Sequence, residues 1–142
     1  MCSVSAEPPS LLVCVNEESD VCGIIQDNAV MCVNVLRAEQ AYISDAFSGR
    51  LTDQDADPFA WTDWETAVTR VPGMSNALIS LDCRIKNELH HGTHYIFVGE
   101  IESLRLNQPG TPLVYRARMY EQLGESGSLS LEDMEYSWER YT

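Results

Sequence analysis

Three histidines crowd the string "HHGTH": His90, His91 and His94. Metal ligation is the first chemistry such a cluster suggests. A zinc centre needs three or four converging ligands, and neighbouring side chains on an extended segment point to opposite faces. No cysteine or carboxylate cluster accompanies the string, so it reads as a turn between strands and not as a metal site. The five cysteines (Cys2, Cys14, Cys22, Cys32, Cys83) are odd in number and form no CxxC pair. Three lie in apolar stretches, which points to free thiols in a reducing compartment. No GxGxxG follows a strand, so a dinucleotide would have to bind without a Rossmann turn. No Ser–His–Asp pattern marks a nucleophile.

The charge balance narrows the partners. Asp and Glu number 22 against 9 Lys and Arg, a formal charge of −13. Such a surface repels phosphate backbones and anionic lipid. Nucleic acid and membrane are therefore disfavoured, and an anionic cofactor would need a local cation or a nest of backbone N–H groups. No run approaches the ~20 apolar residues of a membrane span, and no secretory leader pattern is present; the expected compartment is the cytoplasm. At 142 residues with 44% hydrophobic content, one domain with a real core is expected.

The elements that must position any site follow from periodicity. Residues 11–16, "LLVCVN", read as a strand entered through Pro8-Pro9. Residues 17–28 are polar and turn-rich, and 29–36, "AVMCVNVL", read as a central strand covered on both faces. Leu36, Gln40, Ile43 and Phe47 recur at helical spacing with Gly49 just beyond, which predicts a helix over 37–48. Residues 50–75 form a long irregular excursion holding Trp61 and Trp64. Ile79, Leu81, Cys83 and Ile85 alternate with Ser80, Asp82, Arg84 and Lys86, a half-buried antiparallel strand with the polar set outward. Residues 90–92 supply a turn, 93–106 a second long strand with Gly99 as a bulge or bend, 107–112 a turn, and 113–120 a further strand. From Ser130 a capping-box start with Asp133 precedes Leu131, Met134, Trp138 and Tyr141 on one helical face. The expected architecture is a mainly β, antiparallel barrel over residues 1–123, with an acidic tail over 124–142 that forms a short amphipathic helix or frays.

Several strings go further: "CSVSAEPPSLLVCVN", "CVNVLRAEQ", the "FSG" after the helix, "ALISLDCRI" and "GTHYIFVGEIESL". In this order and spacing the chain closely resembles the short-chain flavin reductases, the NAD(P)H:flavin oxidoreductase components of two-component aromatic (4-hydroxyphenylacetate-type) monooxygenases. The resemblance implies an FMN-binding split β-barrel, usually a homodimer, that binds FMN or FAD, takes hydride from NADH or NADPH and supplies reduced flavin to a separate oxygenase. It places the flavin against Ser3, Val4 and Ser5, against Asn16 and Ser19, and against Phe47, Ser48, Gly49 and Arg50. It places the nicotinamide nucleotide beside His94 and Tyr120. Thr93 departs from the Gly-Asp-His common in the family and matches a variant of it. Arg37, Arg116 and Arg118 are candidates for the dinucleotide phosphates. No catalytic acid or base is implied, because the cofactors carry the bond chemistry.

The resemblance also implies a preceding helix and two strands that this chain lacks, with Met1 standing where the family often has Val. The expectation is a valine codon taken as a start, and weaker flavin binding without the missing wall. Two further classes stay open at this point. One is a barrel that has lost flavin chemistry and serves as a dimerising module. The other is a split-barrel oxidase acting on a phosphorylated substrate, whose expected basic cluster is not evident in the sequence.

Overall fold

The computed structural model describes residues 1–48, 57–107 and 109–122. The chain order begins β1 (Cys2–Ala6), β2 (Pro9–Asn16), α1 (Asp20–Asn28), β3 (Val30–Val35) and a 3-10 turn, Ala38–Gln40, that leads into α2 (Ala41–Phe47). A second 3-10 turn, Pro58–Trp61, precedes β4 (Trp64–Thr66), β5 (Pro72–Met74), β6 (Ile79–His91), β7 (His94–Leu106), β8 (Leu113–Arg116) and β9 (Met119–Gln122). Five strands make one sheet in the order β1-β2-β7-β6-β3, and β4-β5 and β8-β9 form two small ribbons. Every pairing is antiparallel. This is the mainly β, antiparallel split-barrel class that the sequence predicts.

The long β6–β7 ladder owes its bend to two bulges. One extra residue, Glu102, sits on β7 where the partners shift between Asp82 and Cys83; another, Lys86, sits on β6 between Ile85 and Asn87. Each bulge raises the local twist and lets the sheet curl. Gly99 stands opposite the second, paired to Leu11 on one side and Ile85 on the other. A Cβ there would lie 2.7 Å from Met31 Cε and 3.0 Å from Cys83 Cβ, so a glycine is required for the sheet to close on its core. That core gathers Leu11, Cys22, Ile25, Met31, Cys83 and Phe97. Phe97 is completely enclosed, a burial worth ~1.5–3 kcal/mol. A smaller core of Ile43, Met74 and Ala77, flanked by Leu36 and Trp64, fastens α2 to the rest.

Five expectations are corrected. Residues 17–28 are not a run of turns, because α1 occupies Asp20–Asn28. Cys22 and Ile25 are buried beneath it, and it ends at Ala29 in the left-handed region (φ 55), an exit that satisfies a terminal carbonyl. Gly23 and the acidic start masked the helical spacing of Val21, Ile25 and Asn28. The strand around 29–36 is not central: β3 pairs only with β6 among the described residues. Ser80 and Asp82 do not face solvent, since the β4–β5 ribbon covers the polar face of β6 and buries both. Residues 113–120 are not one strand, because Ala117 and Arg118 adopt left-handed φ and reverse the chain between β8 and β9. The expected turn at 90–92 starts later: His90 and His91 still belong to β6, and Gly92 (φ 60) with Thr93 makes the reversal. The predicted tail helix lies outside the described residues. Among those described, no helix is long and apolar enough to cross a membrane.

Candidate functional site

The β-strands and helices enclose an open groove of about 1000 Å³. Val13 and Val15 of β2, Val21 and Ile24 of α1, and Val30 and Val33 of β3 form its floor and one wall; Phe47 of α2 and the β4–β5 ribbon form the other. Strand alternation and helical spacing produce this lining, since Val13 and Val15 share a strand face and Val21 and Ile24 share a helix face. The result is an apolar cleft of the size and composition of small-molecule sites.

A polar knot forms where β2 ends, one residue beyond the lining residue Val15. Asn16 closes β2 and is the register partner of His94. Its Oδ1 accepts the Glu18 N–H at 2.9 Å, and its carbonyl accepts the Ser19 N–H at 3.0 Å. Glu17 ties this turn to the neighbouring hairpin, donating its N–H to the Thr93 carbonyl at 3.0 Å. The Glu17 carboxylate also meets His90 Nε2 at 2.8 Å. Thr93 Oγ1 contacts His94 Nδ1 at 2.9 Å, so the departure at 93 still holds the His94 ring. Asn16, Ser19 and His94 are therefore gathered at the strand ends, next to the lining residues Val15 and Val21 in sequence or register, but none of the three lines the groove itself. The three histidines go separate ways: His90 to Glu17, His94 to Thr93, His91 to the hairpin tip. Among the described residues no three His, Cys, Asp or Glu side chains converge.

The helix α2 presents Phe47 and Ser48 to the groove. Phe47 packs edge-on to Phe59 and Trp64, at centroid separations of 5.1 and 5.9 Å. Trp64 Nε1 donates to the Phe59 carbonyl at 2.8 Å. Phe47 and Phe59 remain 45% and 52% exposed, so ring surface is open to a ligand. Tyr120 reaches the same helix, donating its hydroxyl to Asp45 Oδ1 at 2.9 Å. Gly49 and Arg50 lie outside the described residues. Ser3, Val4 and Ser5 sit on the exposed edge strand β1 and do not line the groove; Ser5 Oγ is spent on the Glu7 N–H at 3.1 Å. Arg37 donates to the carbonyls of Asn76 and Pro109 at 3.1 and 3.2 Å. Arg116 is committed to Glu121 at 2.8 Å.

Neither Cys32 nor Cys83 is poised as a reactive thiolate. Burial, and then the Asp82 charge, push the Cys32 thiol up to about 11. Burial, with Cys32 and Asp82 after it, pushes Cys83 up to about 12. Both are protonated at neutral pH, so neither is a nucleophile. Asp82 is buried at 3% exposure and accepts from Thr69, through the backbone N–H at 2.8 Å and through the Thr69 hydroxyl. That clamp fixes the β4–β5 turn. The next residue, Arg70, has φ 68 and is the one charged side chain among the described residues that line the groove. Sequence reasoning missed Arg70, Phe59 and the face of α1. The clue within reach was the Val21, Ile25, Asn28 spacing; nothing in the sequence pointed to Arg70.

Comparison with known proteins agrees with this architecture. Residues 1–124 match the Flavin reductase like domain, and the chain belongs to that family. A protein named FMN reductase (NADH) RutF from Acinetobacter baylyi is 37% identical over 120 residues, covering 84% of this chain and 63% of the relative. Its namesake from Pseudomonas syringae pv. syringae is 36% identical over 123 residues, covering 87% and 68%. The chain thus spans less than two thirds of the Acinetobacter protein. Among solved structures, flavin reductase PheA2 superposes with a TM-score of 0.78 at 28% identity, over 87% of this chain and 76% of that one. BorF, the flavin reductase component of a bacterial two-component tryptophan halogenase, superposes with a TM-score of 0.76 at 27% identity, over 87% and 78%. A flavin is a planar ring with polar edges and, as FMN, a phosphate on a flexible chain. Apolar walls, open aromatic faces at Phe47 and Phe59 and, among the described lining residues, a single cation, Arg70, fit that group.

Proposed function

We propose that this chain carries the reducing domain of an NADH-dependent FMN reductase, which hands reduced flavin to a separate oxygenase. The observation that carries the proposal is the groove, apolar along its walls and aromatic at Phe47, Phe59 and Trp64. The RutF relatives and the flavin reductase structures support it, BorF as the reductase component of a two-component halogenase. Bound flavin would supply a hydride acceptor for a nicotinamide. The chain's own residues supply the rest. Asn16 and Ser19 offer hydrogen bonds to polar ring or chain atoms, and Phe47 with Ser48 offers a ring face and a hydroxyl. His94, held by Thr93, orients the nicotinamide nucleotide, and Tyr120 braces α2 through Asp45. The valine walls keep water from the reacting faces. Holding two rings in register is worth up to ~7–11 kcal/mol for fully oriented reactants, so no acid–base residue is required.

By the same family likeness the working unit is a homodimer, and Gly49 and Arg50 belong to the flavin site. FMN is the first choice over FAD, and NADH over NADPH. The test adds NADH and FMN to the full-length protein and follows the nicotinamide absorbance. Oxidation that requires added flavin is the expected result. Tight flavin binding without NADH oxidation would favour an oxidase or a non-catalytic module. His94→Ala is expected to raise the NADH KM more than it weakens flavin binding. An unchanged KM removes His94 from the site.

A further inference from the structure

In a chain with formal charge −13, five of the seven described lysines and arginines are already committed. Arg37 donates to the carbonyls of Asn76 and Pro109, Arg84 pairs with Glu102, Lys86 with Glu100, Arg105 with Glu65 and Arg116 with Glu121. Arg70 and Arg118 are the described arginines left without a partner. Arg118 sits at the β8–β9 turn, away from the groove, whereas Arg70 lines it as the one charged group among the described lining residues.

The position is also an improbable place for an arginine. With φ 68, Arg70 occupies the left-handed region that glycine enters freely and a Cβ makes costly. The conformation is imposed from outside. Thr69 is locked to the buried Asp82 by its N–H and its hydroxyl, and the Arg70 N–H closes the turn on the Ala67 carbonyl at 3.4 Å. Strain held by such a clamp and aimed at a cleft is a mark of a working residue.

Its distance from the aromatic surface fits a particular ligand. Trp64 and Arg70 lie on one ribbon, and the strand from Trp64 to the start of the turn alone covers ~10 Å. A ring placed against Phe59 and Trp64 would extend a chain of ribityl length along the ribbon toward the guanidinium. We propose that Arg70 binds the phosphate of FMN, which makes it a residue by which this site distinguishes FMN from the uncharged riboflavin. This inference rests on the flavin reading above.

Riboflavin and FMN share a ring and differ by the phosphate, so titrating both against the full-length protein by flavin fluorescence isolates the contact. Arg70→Gly keeps the turn without a Cβ penalty, and a melting curve confirms that it folds. It is expected to weaken FMN binding about 10- to 100-fold, the range of a charge-assisted hydrogen bond, and to leave riboflavin affinity unchanged. Arg70→Lys should retain most of the preference for FMN, and Arg118→Ala all of it. Equal weakening of both flavins by Arg70→Gly, or no weakening of either, overturns the assignment while leaving the flavin reading intact. A wild-type protein that binds neither flavin overturns both.

Discussion

The Thr69–Asp82 clamp is open to a quantitative test. Asp82 is buried, and a buried carboxylate is tolerated only when its lone pairs are satisfied. Here the Thr69 N–H, at 2.8 Å, and the Thr69 hydroxyl satisfy it. A hydrogen bond to a charged group is worth ~1.5–3 kcal/mol. Thr69→Val deletes the hydroxyl at nearly constant volume and should cost about 2 kcal/mol. Asp82→Ala deletes both acceptors and should cost about 3–5 kcal/mol, a large share of the ~5–15 kcal/mol that holds a domain together. The double variant should be less destabilised than the sum of the singles by ~1.5–2 kcal/mol, because the hydroxyl has nothing to lose once the carboxylate has gone. Urea unfolding followed by far-UV circular dichroism at neutral pH measures all four corners. Additivity within ~0.5 kcal/mol would mean that the two side chains are merely adjacent, and that the β4–β5 turn is positioned by packing alone.

Three more outcomes follow from the same structure. Cys2 and Cys14 are exposed while Cys22 and Cys83 are buried, so alkylation at pH 8 should modify the first two quickly and leave Cys22 and Cys83 largely untouched. Mass spectrometry of partial digests checks this, and fast labelling of Cys83 would contradict it. The raised thiols also set a pH dependence. Unfolded thiols ionise near 9.0, whereas the folded protein keeps Cys32 protonated to about 11 and Cys83 to about 12. Above pH 9 the unfolded chain therefore binds fewer protons, and stability contributed by these groups falls as pH rises toward 11–12. A contribution that rises over that interval, isolated by comparison with Cys32→Ala and Cys83→Ala, would contradict the burial. Gly99→Val should cost ~1–3 kcal/mol by overpacking, because Met31 Cε can swing aside but Cys83 Cβ, 3.0 Å from the new atom, cannot. A thermal midpoint equal to that of the parent would show that the sheet can spread there.

What the linear chain determined was whatever depends on local period and local chemistry. The alternation from Ile79 to Ile85 and the long run after His94 announced two paired strands, and the spacing Leu36, Gln40, Ile43, Phe47 announced α2. The family strings are contiguous, so they were legible without any fold. Asn16 and His94 could be named from those strings, but only the β2–β7 register made them neighbours.

The rest depended on what covers what, and that is not a local property. Ser80 and Asp82 look like a solvent face until a ribbon some ten residues upstream folds over them and turns them into an anchor. The apolar run 29–36 looks central because its side chains need cover, yet groove and core provide that cover while one edge of the strand has no pairing among the described residues. Arg70 carries no signature at all. Its role arises from two non-local facts, the clamp that holds its backbone left-handed and the pairing of nearly every other described cation elsewhere. Sequence encodes preferences residue by residue, but burial and charge pairing are settled between segments, so they exist only once the chain has closed on itself.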